Sequence, residues 1–126
     1  MLLNNADNSY TLFYNRTISG LCIGQRYEFS AYLANVLRGI FTVDPNVRFE
    51  VRSAINSNIL IAQIDTGPVN QTINMTWAKF GISFVTPNTS IMLLMTSNVH
   101  SGIGNDLAID DIAFCVCSTN NSGICP

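Results

Sequence analysis

Two segments of the chain alternate without a break. In 25–36 (QRYEFSAYLANV), Tyr27, Phe29, Ala31 and Leu33 take one parity and Arg26, Glu28, Ser30 and Tyr32 the other. In 46–54 (NVRFEVRSA), Val47, Phe49 and Val51 alternate in the same way with Arg48, Glu50 and Arg52. A helix returns to the same face only every three to four residues, so it cannot sort such a row; a strand returns every two. Each segment is therefore a strand with one dry and one wet face, and a dry face demands a covering layer. If the two wet faces lie side by side in one sheet, Glu28 and Glu50 pair across strands with Arg48, Arg52 or Arg26, and Tyr32 is set in that polar surface.

The rest of the chain supplies the partners. Short apolar or alternating runs rich in β-branched and aromatic residues recur at 10–18, 58–65, 73–85, 90–97 and 106–117, between clusters of Asn, Gly, Pro and Ser. No stretch has a helical period. The expected fold is all-β, an antiparallel β-sandwich of about seven to eight strands. The segments 66–70 (TGPVN) and 86–90 (TPNTS) read as turns. Within 73–85 the apolar phase jumps, since Ile73, Met75 and Trp77 are odd while Phe80, Ile82 and Phe84 are even; this predicts a β-bulge near Ala78-Lys79. Trp77 is read as core. At 126 residues the chain makes one folding unit, expected as a sandwich over 1–117 and a tail over 118–126 (STNNSGICP), pinned by Cys125 or opening a linker.

Composition narrows the function classes. With 48% apolar and 11% charged residues the chain is globular, and its surface is built from Asn, Ser, Thr and Gln more than from ions. The net charge is −2 and the basic residues are scattered, so no phosphate-binding footprint exists and nucleic acid is not an expected partner. The opening MLLNNADNSY has neither the basic nor the apolar region of a signal peptide, and no apolar run is long enough to insert into a membrane. Asn-x-Ser/Thr acceptors at Asn15, Asn70, Asn74, Asn88 and Asn120, together with an even set of cysteines, Cys22, Cys115, Cys117 and Cys125, point to an oxidising, extracellular setting, secreted or at the cell surface, with N-linked glycans. Residues i and i+2 on a strand do not bridge easily, so Cys115 and Cys117 are expected to take separate partners, Cys22 and Cys125, in either order.

The order of signals, RYEFSAYLANV, PNVRFEV, TWAKFGISF, SIMLLM and the closing GNDLAIDDIAF, resembles the galactose-binding-like jelly-roll modules, the carbohydrate-binding and adhesion modules of extracellular proteins. The GNDLAIDDI close is also similar to the end of MAM-type domains. The resemblance spans about residues 10 to 117. Such modules carry further strands ahead of the position of Tyr10, so the resemblance implies either an abbreviated module or an open edge completed by another segment or a neighbouring chain.

Several constellations invite chemistry. The Gly-rich turn feeding Asp106, Asp110 and Asp111 offers oxygens to a structural calcium ion, and by resemblance Asp110 is the first candidate ligand. The alternative is a tight turn of Gly102, Gly104 and Asn105 capped by Asp106, with Asp110 and Asp111 bonded to loop amides. Glycoside hydrolysis needs two carboxyls facing one bond, and adjacent aspartates on a strand point to opposite faces. His100 lacks a nucleophile elbow such as G-x-S-x-G, and the set Cys115, Cys117, Cys125 and His100 lacks the C-x₂-C knuckle of zinc sites. No catalytic residue is assigned and the chain is not expected to be an enzyme. For a bound glycan, the best platform is Tyr32 with Arg26, Arg48 and Arg52. The expected function is non-catalytic glycan or glycoprotein recognition in adhesion, with no required cofactor. The alternative is a structural subunit that pairs with copies of itself in a matrix or filament.

Overall fold

The computed structural model describes residues 2–5, 12–36, 44–70, 76–98 and 106–117. Among them are eight strands: β1 (Leu2–Asn5), β2 (Leu12–Ile18), β3 (Arg26–Asn35), β4 (Asn46–Ser53), β5 (Leu60–Pro68), β6 (Ala78–Val85), β7 (Ile91–Ser97) and β8 (Asp106–Val116). They form two antiparallel four-stranded sheets, ordered β1-β8-β3-β6 and β2-β7-β4-β5. The expected β-sandwich is the fold.

The alternation read in β3 and β4 is kept: Phe29, Ala31 and Leu33 on one and Val47, Phe49 and Val51 on the other are buried. The two strands do not share a sheet, however. Each dry row needs an apolar cover, and each covers the other across the sandwich. The Phe29 and Phe49 rings meet edge-on with centroids 5.2 Å apart, and Tyr14 of β2 packs on Phe29 at 6.1 Å. Ile91, Leu93 and Met95 of β7 and Ile109 of β8 complete the centre of the core.

The wet faces consequently look away from each other, which corrects the expected single polar surface. Glu28 pairs with Lys79 of β6 at 3.0 Å, while Arg52 binds Glu50 at 2.9 Å and Arg48 binds Asp65 at 2.8 Å on the opposite sheet. In the last pair the Arg48 guanidinium donates to both Asp65 oxygens. Those hydrogen bonds lower the Asp65 pKa below its ordinary value, against a smaller desolvation and with help from the charge of Arg48 and from Asn98. A depressed folded pKa means that the stabilisation is present above the ordinary carboxylate range and is lost as pH falls through the folded value. Asp65→Asn is expected to cost under about 1 kcal/mol at neutral pH, since the pair is partly exposed. Urea unfolding should show that difference closing as pH falls through the lowered pKa of the native carboxyl.

Three further expectations change. β6 pairs with β3 in continuous register from Arg26↔Val85 to Leu33↔Ala78, so no bulge lies at Ala78-Lys79. The strand simply begins there, after the half-buried Trp77, and residues 71–75 lie outside the described residues. Second, Leu2–Asn5 form β1 and pair with β8, so a strand stands ahead of Tyr10 where the resemblance implies an abbreviated module or an edge completed by another segment or chain. Third, β5 runs on through 66–68, with Gly67 at φ 75° near its end, so most of TGPVN is strand and not the expected turn. The 86–90 turn is as read: Thr86 Oγ1 accepts from Asn88 N–H at 3.2 Å and donates to Asn88 O at 2.7 Å.

The bulge sits in β8 instead. Ile109 faces Leu33 and Asp110 faces Tyr32, but Ala113 then faces Ser30, so Asp111 and Ile112 together oppose Ala31. Asp111 takes a left-handed conformation, φ 51°, and its N–H donates to Asp110 Oδ1 at 2.9 Å. Two residues against one is a β-bulge, and aspartate is among the few non-glycine residues that accept this conformation without large strain. The bulge switches the inward parity from odd (Leu107, Ile109) to even (Ile112, Phe114), which lets Phe114 stack on Tyr27 at 5.1 Å.

Candidate functional site

The bulge also shapes the outer face of the β1-β8-β3-β6 sheet. Along β3 the outward residues are Arg26, Glu28, Ser30 and Tyr32; beside them stand Val85, Ser83, Gly81 and Lys79 of β6, and Cys115, Ala113 and Asp110 of β8. The middle of this array is small, with Ser30 between Gly81 and Ala113. Bulkier side chains rise around that low centre, and an open concavity of about 280 Å³ results. Its lining is Glu28, Ser30, Tyr32, Lys79, Asp111, Ile112, Ala113 and Cys115.

Each wall has a local cause. Lys79 stands opposite Tyr32, and its chain runs along the strand direction to reach Glu28. The Glu28 hydrogen bond, and then its charge, raise the Lys79 pKa above the ordinary value, so the side chain is a cation at neutral pH. Gly81 lets β6 approach β3 closely: a Cβ there would lie 2.5 Å from Phe29 O and 2.8 Å from Ser30 Cβ. A regular strand shows one residue in two to solvent, but the bulge exposes Asp110 and Asp111 consecutively. Tyr32 is 38% exposed. Chemically this is an apolar aromatic surface beside carboxylate acceptors and one ammonium donor, over a floor without bulk.

Of the residues singled out from sequence, Tyr32 and Asp111 line the concavity and Asp110 flanks it, opposite Tyr32. Arg26 shares the face but lies beyond Glu28, donating to Ser83 Oγ at 3.2 Å. Arg48 and Arg52 belong to the other sheet and are not brought to Tyr32. Among the described residues no group of three or more His, Cys, Asp or Glu side chains is placed to hold a metal ion; the side chain of Asp106 lies outside them. Asn15 and Asn70 are exposed and Asn88 is half-buried, while Asn74, Asn120, His100 and Cys125 lie outside the described residues.

The cysteine expectation is corrected in part. Cys22 is disulfide-bonded, but Cys115 and Cys117 are free thiols. Cys115 stands on the outer face opposite Glu28, and Cys117 follows the end of β8, its N–H bonded to Arg26 O at 2.9 Å.

Sequence reading missed Lys79, Ala113 and Cys115 as neighbours of Tyr32. A signal for β8 was present: Ile109 is odd while Ile112 and Phe114 are even, the same kind of phase jump that was read in 73–85.

No family model matches the chain, and no curated protein matches it. Among solved structures it is similar to the EclA C-terminal domain, a sugar-binding protein, with a TM-score of 0.62 at 18% identity, covering 86% of this chain and 69% of that one. At that identity the likeness is one of fold.

Proposed function

We propose that this chain is a non-catalytic extracellular module that recognises glycans on the outer face of the β8-β3-β6 strands. The observation that carries the reading is the concavity itself: a part-exposed Tyr32 ring beside Glu28, Lys79 and Asp111, above a floor of Ser30 and Ala113. A sugar ring has an apolar C–H face and a rim of hydroxyls. The first stacks on an aromatic ring, and the second needs carboxylate and ammonium partners at its edge. About 280 Å³ is at the small end of ligand sites and suits one or two rings. A sandwich similar to that of a sugar-binding protein supports the reading, and exposed acceptors at Asn15 and Asn70 with a disulfide at Cys22 support the extracellular setting.

Tyr32→Ala tests it. Removing the ring deletes an exposed surface and leaves the core intact, so the melting temperature should stay within about 2 °C. Affinity for any glycan found on an array should fall about tenfold or more by calorimetry. Unchanged binding by the variant would move the site elsewhere.

One observation favours the alternative of self-assembly. Ile55, Ile59, Leu60 and Ile64 are exposed on the edge strand β5 and the turn before it, and an apolar edge can pair with a copy. Light scattering on the same samples separates the two readings. Recognition is served by a monomer at all concentrations, whereas assembly gives a mass that climbs with concentration and ignores free sugar.

A further inference from the structure

We infer that the site takes neutral, hydroxyl-rich sugars and turns away acidic ones, and that Asp111 is the residue that makes the distinction. This rests on the glycan reading above. The charges around the concavity are Glu28, Lys79 and Asp111 in its lining, with Asp110 beside Tyr32 and Arg26 beyond Glu28. Lys79 is engaged by Glu28 at 3.0 Å, and the Arg26 guanidinium is turned to Ser83. Neither cation is ion-paired with Asp111. What the concavity therefore shows a ligand on its β8 side is the exposed Asp111 carboxylate.

An exposed carboxylate accepts from two O–H donors at once, so adjacent hydroxyls on a sugar ring meet Asp111 as a matched pair while the ring lies against Tyr32. A sugar carrying its own carboxylate brings like charge to the same place, and the Lys79 charge, already paired with Glu28, offsets it only in part. The left-handed bulge is what puts this group in the concavity: in a regular strand, position 111 would share the inward parity of Leu107 and Ile109.

The test uses the full chain and matched pairs of probes: methyl glycosides of glucose, galactose and mannose, each beside the uronic acid made by oxidising its C6. Titration by NMR should give weaker binding for the acid of each pair, by about tenfold, with a gap that narrows as salt is raised. Asn tolerates the same left-handed backbone, so Asp111→Asn removes the charge and keeps the shape. It should weaken neutral binding about tenfold and collapse the neutral-to-acid ratio towards one. Acidic sugars that bind as well as neutral ones would overturn the inference and leave the glycan reading standing. A ratio unchanged in Asp111→Asn would remove Asp111 from the role. No binding to any probe, neutral or acidic, would bring down the glycan reading and this inference with it.

Discussion

Gly81→Ala is expected to destabilise the chain by about 2–3 kcal/mol, although alanine in a strand interior ordinarily improves on glycine by about 0.5–1 kcal/mol. The sign reverses because there is no room. A Cβ at 81 would sit 2.5 Å from the Phe29 carbonyl oxygen and 2.9 Å from Ser30 Cα, and both are backbone atoms of a central strand that cannot rotate aside. β6 would have to back away from β3 along their shared ladder, drawing Lys79 and its bond to Glu28 with it. Urea unfolding should show the lost stability, and glycan titration should show weakened binding at the same time. A variant as stable as the native chain would sink the close approach of β3 and β6.

Phe29→Ala carries the other large effect, about 3–5 kcal/mol and a fall in melting temperature of about 10 °C or more. Phe29 is completely buried. Its ring touches Tyr14 and Phe49, which belong to two different strands of the opposite sheet, so the cavity would open at the middle of the interface between layers. Pairing the change with Phe49→Ala should reveal a coupling of about 0.5–1.5 kcal/mol, as expected for an edge-on aromatic pair. A single-variant loss under about 1 kcal/mol would mean that Phe29 is not the hinge of the core.

Strand identity was legible because local parity carries it. Tyr27 to Leu33 and Val47 to Val51 could be sorted into faces from the sequence alone, and both are buried as sorted. Sheet membership was not legible. Glu28 and Glu50 each had an arginine at a reasonable offset, and nothing local says whether two alternating strands lie beside each other or across from each other. The pairing is decided by long-range burial, and it placed Glu28 with Lys79, a residue 51 positions away in numbering. β1 escaped notice because LLNN is too short to alternate. The site was half legible: Tyr32 and Asp111 were singled out for different reasons, and only the register of β3 against β8 puts them in one concavity. Ser30, Gly81 and Ala113 matter there by being small, which a motif search for chemistry passes over.

The back-to-back arrangement of β3 and β4 has a consequence for how such a chain works in numbers. Copies moored to a surface by the Arg48–Asp65 side would all hold Tyr32 outward, and an array of them would present a lattice of identical sockets. On the proposed glycan reading, weak grips would then add through effective concentration.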